Sequence, residues 1–202
     1  MSSSPIQSVC VYCGSSPGND PAYLEAGKTL GRSLGEAGLR LVYGGGTKGI
    51  MGAVAQGTME AGGKVTGIIP RFLMNKEATE KALGQLDELV VTEDMHERKH
   101  RMFEESDAFV TLPGGIGTLE EVIEIMTWAQ LGQHTKPIVL ANINGFWDPL
   151  STLLDHMRDA GFIHTAHRVR PLIIGAPDAI VPAILAAAGE HGEGDARVIE
   201  RL

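Results

Sequence analysis

The segment Pro113-Gly114-Gly115-Ile116-Gly117-Thr118-Leu119-Glu120-Glu121 gathers glycines, a hydroxyl and two carboxylates in one short stretch. An apolar run, Ala108–Leu112, delivers the chain to Pro113, and a helical pattern opens near Gly117. Gly114 and Gly115 can take positive φ and let backbone N–H groups approach a ligand. The first amides of a helix lack intrahelical partners and sit at the positive end of its dipole. That combination favours an anion, most often a phosphate, with Thr118 adding a hydroxyl donor. Glu121 then falls about one turn inside the helix, in reach of whatever extends beyond the phosphate. A plain tight turn and helix start would use the same glycines, and an acidic residue in a first helical turn is favourable by about 0.3–1 kcal/mol on its own.

Two more glycine loops follow strand-like runs. Gly44-Gly45-Gly46-Thr47-Lys48-Gly49-Ile50-Met51-Gly52 opens a helix but lacks the Gly-Lys-Ser/Thr order of a P-loop, and it does not match GxGxxG with an acidic residue ending the next strand. Gly45 and Gly46 are its candidates for close approach to an anion. Gly14-Ser15-Ser16-Pro17-Gly18-Asn19 is the third, with Ser15 as a candidate donor. Together these loops predict an edge that binds a nucleotide or a sugar phosphate.

Two other motifs need weighing. His96-Glu97-Arg98-Lys99-His100 fits HExxH, which on a helix puts both histidines on one face as a zinc ligand pair. Two cations would flank that dication, and no third ligand stands at a typical spacing. A charged helix face with a Glu97–Arg101 pair is the plainer expectation; better still, Arg98 and Lys99 are cations that face the phosphate loops. Cys10-Val-Tyr-Cys13 is a CxxC, but it lies on a β-branched strand rather than at a helix start. An odd separation on a strand sends the two thiols to opposite faces, so both are expected as small buried hydrophobes.

The elements that must position these groups alternate along the chain. Strands are predicted at Ser8–Tyr12, Leu39–Tyr43, Lys64–Ile69, Glu88–Thr92, Ala108–Leu112, Pro137–Ala141 and Val169–Ile173, and helices at Pro21–Ala37, Gly49–Ala61, Met95–Ser106, Gly117–Leu131, Phe146–Ala160 and Pro177–Ala188. Strands separated by such helices imply βαβ crossovers and a doubly wound, mostly parallel Rossmann-like sheet with helices on both faces. Near-continuous apolar strands such as Ile138-Val-Leu-Ala141 suit a sheet covered on both sides. Ligands of such sheets bind at the carboxyl ends of strands, where these glycines collect.

The 202 residues suit one domain, expected as residues 1–188 with a polar tail at 189–202. Arg71–Asp87, of mixed charge and weak periodicity, is expected as a flap near the ligand edge. The formal net charge of −8 disfavours nucleic acid and anionic membranes as partners. No apolar run approaches the ~20 residues of a membrane span, no secretory signal is evident, and only two cysteines occur, so a cytoplasmic location is expected.

PGGxGTxxE at 113–121, GGGxxGxMG at 44–52 and MHxRK at 95–99 together resemble the Lonely Guy family, the cytokinin riboside 5′-monophosphate phosphoribohydrolases often labelled lysine decarboxylases. CGSSPGN at 13–19, TWAQLG at 127–132, Lys136-Pro137 and Asn142–Trp147 add to the match, which spans roughly Val9 to Ile163 and weakens over Arg71–Asp87. The resemblance implies hydrolysis of the N-glycosidic bond of N6-modified adenosine monophosphates to a free base and ribose 5-phosphate. It implies Arg98 and Glu121 as catalytic residues, and Lys99, Gly115, Ile116, Gly117, Thr118, Leu119, Glu120 and Thr127 as substrate contacts. Glu77 matches a further contact across the divergent segment. It implies a homodimer or larger assembly, for which Met126, Trp128 and Leu131 offer an apolar face; no cofactor or metal is expected.

These residue types suit that chemistry. Cleaving a ribosyl C–N bond builds positive charge on the sugar, which a carboxylate stabilises while orienting or deprotonating a water. The leaving purine gains negative charge, which a cation offsets; with a pKa above ~12, Arg98 is a poor proton donor and suits electrostatic stabilisation. Lysine decarboxylation would instead need pyridoxal phosphate on a lysine, and Lys48 has no identifiable ring-binding partner. The alternatives are a nucleosidase for AMP or other monophosphates, a non-catalytic nucleotide-binding module, and a zinc peptidase built on His96 and His100.

Overall fold

The computed structural model describes residues 6–74, 83–163 and 171–188. Seven strands form one all-parallel sheet: β1 (Ser8–Tyr12), β2 (Arg40–Tyr43), β3 (Val65–Pro70), β4 (Glu88–Thr92), β5 (Ala108–Thr111), β6 (Ile138–Ala141) and β7 (Leu172–Ile174). The helices are α1 (Pro21–Glu36), α2 (Gly49–Glu60), α3 (Met95–Glu104), α4 (Ile116–Gln130), α5 (Asp148–Asp159) and α6 over residues 180–188. The spatial order is β4-β3-β2-β1-β5-β6-β7. From β1 the chain steps outward to β4, and α3 then returns it to β5 on the other side of β1. The strand order therefore reverses between β1 and β5, where the carboxyl ends leave a crevice.

Alternation along the strands builds two cores. On one face Val9, Val11, Leu41, Val110 and Val139 pack with Leu30 and Leu34 of α1, Val54 of α2 and Ile184 of α6. On the other, Cys10, Tyr12, Val42, Phe109 and Leu140 pack with Met102 of α3, Val122 and Ile125 of α4 and Leu150 of α5. Cys13 belongs to the first core and Cys10 to the second, so the CxxC thiols do lie on opposite sides of the sheet, free and buried. Burial, with the negative charge of Glu121 adding to it, raises both thiols well above their ordinary range.

Most expected elements are shorter by a residue or so at their ends. The helix expected from Phe146 begins only at Asp148, and the one expected from Pro177 only at residue 180. Asn144 at φ 50° and Gly145 at φ 76° make a left-handed turn before α5, and Trp147, at φ −94° and ψ 3°, is still outside helical geometry. At the other end of the chain Pro177–Ala179 is a 3₁₀ turn before α6. The last strand runs Leu172–Ile174, so its expected start at Val169 falls outside the described residues, as do Glu77, residues 75–82 of the expected flap, and the 189–202 tail. No helix among the described residues is long and apolar enough to cross a membrane.

Candidate active site

The three glycine loops meet at the carboxyl ends of β1, β2 and β5. Gly14 N–H donates to the Pro113 carbonyl at 3.1 Å, and Met51 N–H donates to the Gly14 carbonyl at 3.3 Å. Gly49 takes φ 57° with its Cα against the Ser15 and Ser16 backbone, an approach no side chain would allow. Both α2 and α4 open on these loops without a side-chain cap, at Lys48 and Gly115. Their first-turn amides are therefore not occupied by a capping side chain, as an anion site requires.

The individual loop residues divide into two groups. Ser15, Gly115, Ile116 and Gly117 are exposed on the crevice edge, and Gly115 and Gly117 face open space. Gly45, Gly46 and Thr118 are buried. Gly45 takes φ 75° against Ile69, and Gly46 leaves room for Met51. Thr118 leans back onto Gly114, where any β-carbon would collide with it. The second group shapes the loops from behind rather than lining the crevice.

α3 supplies the cations. Its start is fixed by Asp94, whose carboxylate accepts from Glu97 N–H at 2.9 Å, while Glu97 Oε2 accepts from Glu93 N–H at 2.9 Å. The Asp94 carboxyl is accordingly held below its usual range, chiefly by that amide. Glu97 thus turns back to the helix start instead of along the face toward Arg101. His96 and His100 are exposed, and His100 Nε2 sits 3.1 Å from Glu104. The HExxH residues serve a helix cap and a surface pair, and no three His, Cys, Asp or Glu side chains among the described residues are grouped to hold a metal.

Arg98 and Lys99 point the other way, into the protein. Arg98 is 5% exposed and Glu121, from α4, 8% exposed; Arg98 Nη2 lies 3.8 Å from Glu121 Oε1. Arg98 Nε donates to the Ile68 carbonyl of β3 at 3.2 Å, and Nη1 meets Met95 Sδ at 3.7 Å. The guanidinium lies directly against Gly44, leaving no room for a β-carbon there. Two buried opposite charges offset each other's desolvation, and removing either leaves the other uncompensated. The pair therefore spans the crevice from the end of β2 and β3 to the first turns of α4.

Lys99 forms a second bridge between the same helices. Its Nζ donates to Glu120 Oε1 at 2.6 Å and to Glu124 Oε1 at 3.0 Å. Burial alone pulls the ammonium pKa down, but the bonds and charges of Glu120 and Glu124 outweigh it, and the net shift is upward. Leu119, Ile123 and Thr127 face outward on α4, and the Thr127 hydroxyl donates to the Ile123 carbonyl at 2.7 Å. The structure thus brings Arg98, Glu121, Gly115 and Gly117 to one edge, with Lys99 and Glu120 beside them, and leaves Leu119 and Thr127 on the outer face of α4. Gly44 and the Ile68 carbonyl were missed as partners of Arg98. The triple-glycine run is the one sequence signal of Gly44, and nothing local in the sequence marks the Ile68 carbonyl.

A family model described as "Possible lysine decarboxylase" matches residues 51–184. The relatives bear another name. The cytokinin riboside 5′-monophosphate phosphoribohydrolase LOG5 of Arabidopsis thaliana is 48% identical over 171 residues, 85% of this chain and 73% of that protein. The enzyme of the same name called LOG, from Oryza sativa subsp. japonica, is 47% identical over 171 residues, 85% of this chain and 69% of that protein. This chain belongs to that family. Among solved structures, the structural-genomics target TM1055 superposes with a TM-score of 0.68 at 27% identity, over 89% of this chain and 98% of that one. A molybdenum cofactor carrier protein from Chlamydomonas reinhardtii shares the fold at a TM-score of 0.67 and 21% identity, over 92% of this chain and 99% of that one. The resemblance read from the glycine and MHxRK motifs and the Rossmann-like fold read from strand alternation both hold.

Proposed function

We propose that this chain is a phosphoribohydrolase that hydrolyses N6-modified adenosine 5′-monophosphates to the free base and ribose 5-phosphate. The observation that carries it is the buried Arg98–Glu121 pair, set at the sheet's switch point beside the uncapped start of α4. Relatives of 44–48% identity are named for this activity. The phosphate binds the amides of Gly115, Ile116 and Gly117 with Ser15 opposite. The ribose then lies over Glu121, whose carboxylate faces the developing oxocarbenium charge and orients the attacking water. Arg98 offsets the negative charge that grows on the departing purine, acting as a fixed cation rather than a proton donor. A decarboxylase is disfavoured, because Lys48 is an exposed residue at the start of α2 rather than a buried Schiff-base lysine.

The proposal includes a homodimer built on the outer face of α4, with residues 1–188 as its catalytic domain. Ile116 is 87%, Leu119 38%, Ile123 38% and Leu131 67% exposed, an apolar stripe that continues directly from the phosphate loop. Met126, expected on that face, is instead core, and Trp128 is half-buried against Phe103. A cytoplasmic location is supported by the two unpaired cysteines.

The test is base release from isopentenyladenosine monophosphate and from AMP, with and without a chelator. Chelator-insensitive release, faster with the isopentenyl substrate, is expected, and Glu121→Gln is expected to lower kcat by about 10²–10⁴-fold. Equal release from AMP would point to a general nucleosidase. Ligand binding with no release from either would point to a binding module. Full turnover by Glu121→Gln would overturn the mechanism.

A further inference from the structure

The loop after β6 is tied to the loop after β1 across the carboxyl end of β5. Asn144 is the one described non-glycine residue at positive φ, 50°. Its side-chain amide donates to Asp20 Oδ2 at 2.9 Å. Asp20 Oδ1 meanwhile accepts from Ala22 N–H at 2.9 Å and so caps α1. These two bonds, the α1 amide first, hold the Asp20 carboxyl below its usual range.

An aromatic chain runs beside that bond. Trp147 Nε1 donates to the Thr111 carbonyl, at the last residue of β5, at 3.1 Å. Phe146 packs edge-on against Trp147 at 4.8 Å, and Tyr23 of α1 packs edge-on against Phe146 at 5.5 Å. Gly18, at φ 72°, fits against the ring edge of Tyr23 with no room for a β-carbon. The segment 14–19 is therefore held at both ends: at Gly14 by Pro113 and Met51, and at Gly18–Asp20 by Tyr23 and Asn144. Between those ties stand Ser15 and Ser16, both exposed, with their backbone against Gly49 at the start of α2.

We infer that Asn144 and Asp20 are a positioning pair, which fixes the serine loop at the distance from α4 that a phosphate bridges, without touching substrate. This rests on the phosphate site proposed above. Without the Asn144 bond the loop keeps its seat on Gly49 and at Gly14, but its Gly18–Asp20 end is looser; each incoming phosphate then has to order that end, and the cost appears as weaker binding. The reacting end of the site, Arg98 and Glu121, is anchored on other elements and is unaffected.

The substitutions separate the hydrogen bond from the backbone. Asn144→Gly keeps the left-handed turn and deletes the amide. Asn144→Asp keeps the turn and places two carboxylates face to face. The double variant Asp20→Asn with Asn144→Asp exchanges the partners, since asparagine also caps a helix and aspartate tolerates this turn. Asn144→Gly is expected to raise KM for isopentenyladenosine monophosphate roughly three- to tenfold, with kcat within about twofold, the size of one net hydrogen bond. Asn144→Asp is expected to raise it further, and the exchanged pair to restore it. Ribose 5-phosphate affinity by calorimetry is expected to follow the same order in the absence of turnover. Unchanged ribose 5-phosphate affinity in Asn144→Gly and Asn144→Asp, or failure of the exchanged pair to restore it, would overturn the inference. A wild-type chain that binds ribose 5-phosphate but releases no base would instead overturn the proposed activity, and the calorimetric order would still decide the role of Asn144.

Discussion

Replacing Gly44 by alanine is expected to displace Arg98 while leaving the fold in place. A β-carbon on Gly44 would overlap Arg98 Nη2 and would stand 3.3 Å from Arg98 Cζ and 3.5 Å from Met51 Sδ. Gly44 is not among the glycines at positive φ, so alanine meets no backbone strain there. An ordinary non-bonded contact needs ~3.5 Å, so the guanidinium has to retreat by about 1 Å or more. A free arginine would swing away at little cost. Arg98 is not free: Nε is held by the Ile68 carbonyl at 3.2 Å, Nη1 by Met95 at 3.7 Å and Nη2 by Glu121 at 3.8 Å. Moving it stretches those ties, and overpacking of this kind typically costs about 1–3 kcal/mol. A catalytic group misplaced by about 1 Å loses roughly 10²-fold in rate. Steady-state base release by Gly44→Ala is therefore expected to show kcat lowered about 10²-fold. Circular dichroism is expected to match wild type, with a modestly lower Tm. Wild-type kcat in a folded Gly44→Ala protein would refute both the tight seat of Arg98 and its part in the reaction.

Two further predictions follow from groups outside the crevice. His134 accepts from Lys136 N–H at Nδ1 and meets the Ile125 carbonyl through Nε2, the pattern of a neutral ring, and burial first of all lowers its pKa below 6.5. Its contribution to stability is complete above about pH 6.5 and is lost as pH falls toward the lower folded pKa, because the unfolded chain takes up the proton first. Urea unfolding is thus expected to show that His134→Phe loses part of the wild-type stability decline between pH 7.5 and 5; an unaltered decline would contradict the neutral ring. If the proposed dimer forms through the exposed stripe of α4, Ile123→Asp is expected to yield monomer in sedimentation equilibrium and to reduce activity in proportion; an active monomeric wild type would overturn the proposed dimer.

Much of the site was legible in the chain because its parts are local. A strand, a glycine turn and a helix start are adjacent in sequence; Gly45 and Gly49 take the positive φ that glycine allows, whereas Gly114 and Gly115 do not. Near-continuous apolar strands alternating with helices point to a parallel sheet covered on both faces, and that sheet puts every such loop at the same edge. The opposite placement of Cys10 and Cys13 followed from strand periodicity alone. The HExxH match was outweighed by the two cations between its histidines, although spacing on a helix says only which residues share a face, not which face is inward. Only α3 lying across the sheet turned Arg98 and Lys99 inward and left His96 and His100 exposed.

Other facts had no local signal. Gly44 against Arg98, Lys99 between Glu120 and Glu124, and Asn144 bonded to Asp20 each join segments far apart in the chain. Met126 against solvent or core depended on how α4 rolls on the sheet, since its neighbours Ile123 and Leu131 are just as apolar. The sequence by itself determined the element order and the loop chemistry, because these depend on residue type and short spacing; Arg98 and Glu121 followed from the family resemblance, and their pairing across the crevice from the fold. The tertiary structure decided which side chains meet and which atoms they occupy, because a distance of 3 or 4 Å between distant segments is set by packing of the whole core.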